Sequence, residues 1–251
     1  MKEINLSPKE LKQIIDNSKL ISTSGFSSAV FLYENTLIKL QKELYNYLKI
    51  NDIRFADSIF ADLYRWNKEP FVKEEQIKFL QDKQRDIKLT EFDEGIVKVN
   101  NQICGVILKN NLDYADLTNV EISDPVKILK ILYNLLLALK ELEDNRISHL
   151  DLANNQKGMP ATINVLCKDT DVKLCDLSGD FITYEEKFNS NIMYQQYMNV
   201  IIFLLKKLEK LNPKFNGIVS SLAGKTISSY DEAIKTLADV SKYTENVNRH
   251  L

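Results

Sequence analysis

The chain has 251 residues, 44% of them hydrophobic, which is enough for a well-buried core in one large domain or two small lobes. With 33 basic and 35 acidic residues the formal net charge is −2, so no overall field attracts nucleic acid or an anionic membrane. The apolar runs are far shorter than the roughly 20 residues that cross a bilayer, and no apolar signal segment opens the chain. Three cysteines without C-x-x-C spacing argue against a disulfide framework and a zinc site. We therefore expect a cytoplasmic protein with reduced thiols and no nucleic-acid or membrane partner.

The N-terminal part predicts one short helix followed by three strands. Ser7 and Glu10 flank Pro8 in the pattern of a capping box, which marks a helix start, and the first residues are expected to run directly into this helix. Apolar and β-branched residues then cluster in three short segments separated by polar turns, which is typical of antiparallel strands: 19–24, 28–33 and 36–40. The pair between the last two segments, Glu34-Asn35, predicts a tight hairpin.

The middle of the chain predicts helices and then a second hairpin. Apolar residues recur at helical spacing between residues 44 and 64, and a further helical segment over 71–84 carries Glu74 and Glu75 near its start. Two apolar segments, 95–99 and 103–108, follow as strands. Asn100-Asn101 joins them and suits a type I′ turn.

The C-terminal half is expected to be mostly helical. Asp124-Pro125 starts a long helix whose leucines and isoleucines fall on one broad apolar face up to residue 142. Helical patterns return over 194–211 and 230–243. Between these helices, 164–167 and 172–175 predict a hairpin that presents Asn164 and Asp176 at its two ends on the same side.

Three short motifs in this half carry the chemistry: His149-Leu150-Asp151, Asn164-Val165-Leu166 and Asp176-Leu177-Ser178-Gly179. Transfer of the γ-phosphate of ATP needs one carboxylate near the acceptor hydroxyl, a second on Mg²⁺, and an amide or a lysine beside them. Asp151, Asp176 and Asn164 can fill these roles.

These motifs resemble those of the protein kinase superfamily, and the upstream chain contains counterparts of its other parts. Residues 23–30 are similar to the glycine-rich phosphate loop, with Gly25 as the middle glycine and Val30 as the valine that ends the pattern. Residues 37–40, Leu-Ile-Lys-Leu, resemble the V-A-I-K strand, with Lys39 as its lysine. The helix over 71–84 resembles αC, and the long helix after Asp124-Pro125 resembles αE. Residues 109–111 would be the hinge.

The resemblance implies an α+β, bilobal protein kinase-like fold, with an N-lobe over 1–109 and a C-lobe over 110–251. It implies ATP and Mg²⁺ as cofactors, and a protein or small-molecule hydroxyl as the acceptor, most simply as in a Ser/Thr-type protein kinase. Asp151 would orient the attacking hydroxyl or accept its proton, and Glu75 would hold Lys39. The nucleotide would be contacted by Gly25, Ser27, Val30, Lys39 and Leu108. The metal would be bound by Asp176 and Asn164.

Several features leave alternatives open. The place five residues after Asp151, where kinases carry the metal-binding asparagine, holds Gln156, so Gln156 or Asn155 is an alternative to Asn164 for the amide ligand. No A-P-E motif follows Gly179, which favours a compact, bacterial-type kinase or a small-molecule kinase. The phosphate loop keeps one glycine of three. A pseudokinase that retains the fold and acts as a binding module is therefore the competing interpretation.

Overall fold

A computed structural model of the chain describes residues 1–22, 28–66, 72–90, 92–154, 162–177, 179 and 182–249. The chain divides into two compact units. The first comprises Met1–Arg85, Phe92–Asn111 and Ser178–Asp180, and the second comprises Asp86–Glu91, Leu112–Leu177 and Phe181–Leu251. Both β-sheet and helix contribute, the sheet mainly in the N-terminal region and helices mainly in the C-terminal part, so the α+β fold class is confirmed.

The first unit is built on a six-stranded sheet. Its strands are β1 (Lys2–Leu6), β2 (Lys19–Ser22), β3 (Ser28–Tyr33), β4 (Thr36–Gln41), β5 (Gly95–Val99) and β6 (Gln102–Leu108). Their order in the sheet is β1-β5-β6-β4-β3-β2. β1 runs parallel to β5, and the other neighbouring strands are antiparallel. Its helices are α1 (Pro8–Asp16), α2 (Lys42–Ile50), α3 (Ala56–Trp66) and α4 (Glu74–Lys83).

The two faces of this sheet pack into different hydrophobic clusters. On one face, residues of β3 to β6 pack with α1, α2 and α3, and the larger members include Leu11, Phe31, Ile38, Leu44 and Leu48. On the other face a smaller cluster joins the sheet to α4 and to Val72, two residues before it; its members are Val72, Ile77, Ile96 and Val106. The alternation of side chains along each strand separates the two sets.

The structure confirms the sequence signals for the start of α1 and for the two tight turns of this unit. Ser7 and Glu10 form the capping box at the start of α1. Glu34 has a φ of 52° in the β3–β4 turn, and Asn100 and Asn101 have φ values of 50° and 66°, as a type I′ turn requires. The expected run of the first residues straight into a helix is wrong, because Lys2–Leu6 form β1 and pair with β5.

The described part of the second unit has four α-helices and several short strands. The helices are α5 (Pro125–Asp144), α6 (Ser190–Leu211), α7 (Asn216–Leu222) and α8 (Tyr230–Arg249). A three-stranded sheet is formed by β7 (Ala115–Asp116), β11 (Val165–Lys168) and β12 (Asp171–Leu174). The remaining strands form two pairs: β8 (Ile147–His149) with β13 (Ile182–Tyr184), and β9 (Ala153–Asn154) with β10 (Thr162–Ile163).

α5 forms the centre of the second unit, packing against α6, α8 and β12. Asp124 caps α5 through its side chain, which accepts a hydrogen bond from the Val126 N–H, as the sequence predicts. Tyr197 of α6 donates its hydroxyl to the Leu132 carbonyl at 2.7 Å, and burial raises the pKa of Tyr197. This hydrogen bond joins α6 to α5. Within the described ranges, no helix has both the length and the apolar character to span a bilayer.

Candidate active site

His149 organises the loop that carries Asp151. It ends β8 and is completely buried. Its Nδ1 accepts a hydrogen bond from the Asp151 backbone N–H at 3.2 Å, and its Nε2 lies 2.9 Å from the Cys175 carbonyl oxygen. An N–H donor on one side and a carbonyl on the other fit a neutral imidazole with its proton on Nε2. His149 therefore joins the Asp151 loop to the residue that precedes Asp176.

Asn164 makes the second connection between these motifs. Its Nδ2 donates to the Asp151 backbone carbonyl and, at 3.2 Å, to the Asp151 carboxylate oxygen Oδ2. Its backbone carbonyl accepts from the Cys175 N–H at 3.1 Å, just beyond the end of the β11–β12 hairpin. Asp151, Asn164 and the backbone leading to Asp176 are thus brought together within the second unit. The expected hairpin is present, with Asn164 before it and Asp176 after it.

Gln196 is a site residue that the sequence analysis missed. It lies on α6 and brackets the loop after His149: its Nε2 donates to the Leu150 carbonyl, and its Oε1 accepts from the Leu152 N–H. The sequence did contain a signal for this role. Gln196 falls on the apolar face of α6, three residues after Met193 and four before Val200, both of which are buried. A polar residue on a buried stripe requires hydrogen-bond partners.

In the first unit, three of the expected nucleotide-contacting residues share one face of the sheet. Val30 on β3 is directly opposite Lys39 on β4, and Lys39 is opposite Val106 on β6. Leu108 is opposite Leu37, which precedes Lys39 by two residues and therefore points to the same side. Lys39 is only 8% exposed. The expected contacts Gly25 and Ser27, and the alternative metal ligands Asn155 and Gln156, lie outside the described residues.

The two glutamates in the first turn of α4 lie in different surroundings. Glu75 is exposed. Glu74 forms ion pairs with Lys78 at 2.7 Å and with Lys98 of β5 at 2.9 Å, and Lys98 also pairs with Glu3 of β1 at 3.0 Å. The hydrogen bonds from Lys78 and then Lys98 lower the pKa of Glu74 to about 2. These contacts fix the start of α4 to the sheet, while the pairing of Glu75 with Lys39 stays a prediction.

Gln76, next to Glu75, is buried, with 6% of its surface exposed. Its Nε2 donates to the Gly179 carbonyl and its Oε1 accepts from the Gly179 N–H, both at 2.9 Å. Gly179 ends the Asp176-Leu177-Ser178-Gly179 motif and belongs to the same unit as α4. The buried polar side chain of α4 is therefore the amide of Gln76, which hydrogen-bonds the backbone of Gly179.

The atoms of the second unit fit a hard cation such as Mg²⁺. Because Asn164 uses its Nδ2 to hold Asp151, the amide oxygen Oδ1 is the atom left for a metal. Asp176 supplies a carboxylate, and oxygen ligands of these two kinds suit Mg²⁺. Among the described residues, no three His, Cys, Asp or Glu side chains cluster as a metal site of that composition requires.

Comparison with known proteins gives a structural match and no sequence match. No protein-family model matches the chain, and no curated protein matches it by sequence. The solved structure of the Cydia pomonella granulovirus kinase PK-1 is similar, with a TM-score of 0.50 over 90% of this chain and 96% of that chain, at 13% identity. The chain has a protein kinase-like fold. At this identity the similarity concerns the fold, so the activity has to be argued from the residues.

Proposed function

We propose that the chain is a kinase-like phosphotransferase that moves the γ-phosphate of ATP to a hydroxyl group with the help of Mg²⁺. The observation that carries the proposal is the connection of Asp151, Asn164 and the backbone before Asp176 through the bonds of His149 and Asn164. Phosphoryl transfer depends on positioning and charge stabilisation, and this arrangement supplies two carboxylates and one amide oxygen for that purpose. The kinase named in the similar structure supports the same class of reaction.

The roles of the residues follow from their atoms. Asp151, whose carboxylate is oriented by Asn164, would orient the acceptor hydroxyl or take its proton. Asp176 and the Asn164 amide oxygen would hold Mg²⁺, which when bound neutralises charge on the phosphates. Lys39 would pair with the α- and β-phosphates, and Val30 and Leu108, on the same sheet face, would contact the nucleotide. A protein hydroxyl, as in Ser/Thr-type kinases, is the acceptor we propose.

The test is transfer of label from γ-labelled Mg-ATP by the purified full chain, with the chain itself, a generic protein and small hydroxyl compounds as acceptors. We expect label on protein. We expect Asp151→Asn to reduce the rate by about 100- to 10,000-fold, the usual contribution of a catalytic acid or base, and Asp176→Asn to abolish transfer.

Asp169→Asn is the matched control. Asp169 is exposed in the turn of the same hairpin, pairs with Lys127 at 2.9 Å, and has a φ of 55°, which asparagine also adopts readily. It should transfer label at the wild-type rate. Wild-type rates in Asp151→Asn and Asp176→Asn would overturn the assignment of these residues. Absence of transfer to every acceptor would overturn the proposed activity.

One observation favours a pseudokinase as the second candidate. Within α4, which the structure describes in full, the first-turn carboxylates are either exposed, as in Glu75, or paired with Lys78 and Lys98, as in Glu74. The buried position next to them carries the neutral Gln76. A chain of this kind would bind Mg-ATP without transferring phosphate. Saturable binding of a fluorescent ATP analogue, together with no label transfer, would select this candidate over the enzyme.

A further inference from the structure

Lys207 of α6 places its ammonium group against the loop that follows β7. Its Nζ donates to the carbonyl oxygens of Leu117 at 3.4 Å, Thr118 at 2.9 Å and Val120 at 2.7 Å. On the helix side the same Nζ lies 5.1 Å from the centre of the Phe203 ring, one turn earlier. An ammonium group has three N–H donors, so three carbonyls can use all of them. Lys207 therefore joins α6 to three residues of one loop.

The start of this loop is shaped by Asp116. Its Oδ1 accepts from the Thr118 N–H at 2.8 Å and from the Thr118 hydroxyl at 2.5 Å, and its backbone carbonyl accepts from the Asn119 N–H at 2.9 Å. Removal of Lys207 from water lowers its pKa, and the Asp116 carboxylate acts in the opposite direction. Because a partly buried charge costs free energy unless it is hydrogen-bonded, the lysine and the loop stabilise each other.

The same loop is hydrogen-bonded to the strand that begins beside Asn164. The Leu117 N–H donates to the Val165 carbonyl at 2.9 Å, and both residues are completely buried. Asp116, the last residue of β7, is directly opposite Leu166 of β11. Since Val165 follows Asn164 in the chain, the loop that Lys207 holds contacts the residue next to the proposed metal ligand.

Lys207 and α5 hold opposite edges of the three-stranded sheet. β11 is the central strand, with β7 on one side and β12 on the other. β12 packs against α5, and Asn134 of α5 donates its Nδ2 to the Thr170 carbonyl in the hairpin turn at 2.8 Å. All of these residues belong to the second unit. The β12 edge is thus fixed by α5, and the β7 edge by Lys207 of α6.

We propose that Lys207 is a positioning residue that holds the loop after β7 and so sets where Asn164 presents its amide oxygen to Mg²⁺. The inference rests on the proposed function, in which this oxygen is a metal ligand. The effect of Lys207 passes through the Leu117 N–H and the Val165 carbonyl to the neighbouring Asn164. Its loss should therefore weaken metal binding and leave the chemical step itself intact.

The first experiment measures Mn²⁺ binding to the full chain by electron paramagnetic resonance, with a non-hydrolysable ATP analogue present. Lys207→Met removes the three donors and keeps an unbranched side chain. We expect it to raise the Kd for Mn²⁺ by about 3- to 10-fold, less than the roughly 10- to 100-fold of residues that contact a metal ligand directly. Lys207→Arg keeps the charge in a planar fork, which suits three converging carbonyls less well, so its Kd should lie between those of Lys207→Met and wild type.

Phosphate transfer provides the second readout. In Lys207→Met the Mg²⁺ concentration for half-maximal rate should rise by the same factor as the Kd for Mn²⁺, and the rate at saturating Mg²⁺ should stay close to wild type. A purely structural role for Lys207 would instead lower the rate equally at every Mg²⁺ concentration. That result, or a wild-type Kd for Mn²⁺ in Lys207→Met, would overturn the inference.

Lys206→Met is the matched control, because Lys206 is the neighbouring residue of α6 and is exposed. It should match wild type in Mn²⁺ binding and in Mg²⁺ dependence. If Lys206→Met changes both as much as Lys207→Met does, the effect comes from lost positive charge on α6, and the assigned role of Lys207 is wrong.

Hydrogen exchange tests the contact apart from the proposed activity. Exchange of the Leu117 amide should be slowed by its bond to Val165 and accelerated about tenfold or more in Lys207→Met, with no change in Lys206→Met. Unchanged exchange would overturn the route through the loop. If the wild type transfers no phosphate but Lys207→Met weakens Mn²⁺ binding, the proposed activity fails and the inference holds. A wild type that neither binds Mn²⁺ nor transfers phosphate would overturn both, and an active wild type that Lys207→Met equals would overturn the inference alone.

Discussion

At the scale of single residues, neutral side chains that donate and accept together hold the candidate site. His149 joins two backbone groups, Gln196 joins the groups on both sides of Asp151, and Gln76 joins both groups of Gly179. Each satisfies buried backbone atoms that would otherwise cost free energy. Asp151 is thus presented by a frame of side-chain hydrogen bonds to the backbone on both sides of it.

Gln196→Ala tests this frame. The change leaves the Leu150 carbonyl and the Leu152 N–H without their partner, so we expect the free energy of unfolding to fall by about 1–3 kcal/mol. Phosphate transfer should fall further than this loss of folded protein explains, because the loop around Asp151 is no longer held. Chemical denaturation and label transfer are the measurements.

The neighbouring residue offers a control, since Gln195 lies on the exposed side of the same helix. Gln195→Ala should leave both the unfolding free energy and the transfer rate close to wild type. Equal effects of the two substitutions would show that the loss arises from the helix in general, and the specific role of Gln196 would be wrong.

At the scale of elements, α4 is attached to the sheet by charge as well as by apolar packing. Lys98 of β5 connects Glu74 of α4 with Glu3 of β1, and the hydrogen bonds of these carboxylates raise the pKa of Lys98. Lys98 reaches α4 because it follows Ile96 by two residues on the same strand, and Ile96 packs beneath the helix. β1, β5 and α4 are therefore linked through one lysine.

This link predicts a pH dependence of stability. The pKa of Glu74 is lowered from 4.5 to about 2, chiefly by the hydrogen bonds of Lys78 and Lys98, so the folded state favours the ionised form. Its stabilising contribution is complete above pH 4.5 and is lost progressively as pH falls toward 2. The difference in melting temperature between wild type and Glu74→Gln should be largest near neutral pH and shrink between pH 5 and pH 3.

Thermal unfolding followed by circular dichroism at several pH values measures this difference. Glu209→Gln provides a control, because Glu209 belongs to the second unit and forms no ion pair among the described residues. If the difference in melting temperature between wild type and Glu74→Gln is constant with pH or grows on acidification, the assigned ion pairs are wrong. High salt should weaken the effect, since the pair is open to solvent on one side.

The elements that sequence reasoning found are those defined by local signals. The capping box of α1, the two tight turns and the apolar face of α5 each depend on residues close together in the chain. β1 was missed because its partner β5 lies more than 90 residues away, although the alternation of Ile4 and Leu6 with polar residues was a weak strand signal. Parallel pairing leaves no turn motif to reveal it.

In the candidate site, too, the sequence predicted what depends on nearby residues and missed what depends on residues far apart in the chain. Motif spacing brought Asp151, Asn164 and Asp176 into one hypothesis, and the structure joins the first two and the backbone before the third. On α4 the sequence analysis assigned Glu75 to hold Lys39, and it did not identify the next residue, Gln76, as the buried polar residue. One residue along a helix turns the side chain by about 100°, so only the position of the sheet and of Gly179 decides which residue is buried.

At the scale of the whole molecule, each compact unit gathers segments that are far apart in the chain. The second unit includes residues 86–91, whose Lys88 and Leu89 N–H groups both donate to the Glu141 carboxylate of α5, at 2.9 and 2.7 Å. The first includes Gly179, held by Gln76. The chain therefore passes from one unit to the other several times. A ligand that binds only the folded form of a unit stabilises that unit against unfolding.

Mg-ATP is the ligand that the proposed function requires, and its binding predicts a shift in melting temperature. At a concentration 100 times the Kd, a ligand that binds only the folded state adds about 2.7 kcal/mol to the free energy of unfolding. For a chain of this size that amounts to roughly 5–11 °C. Lys39→Met should reduce the shift strongly, because Lys39, which is only 8% exposed, is the proposed partner of the phosphates.

Lys19→Met separates this role from a general loss of positive charge, since Lys19 lies on β2 of the same sheet and is exposed. It should retain the full shift, and the melting temperatures without nucleotide report any effect on folding itself. A full shift in Lys39→Met would remove Lys39 from the nucleotide site. No shift in the wild type at millimolar Mg-ATP would remove ATP from the proposal altogether, because a folded kinase-like chain that binds its nucleotide cannot avoid being stabilised by it.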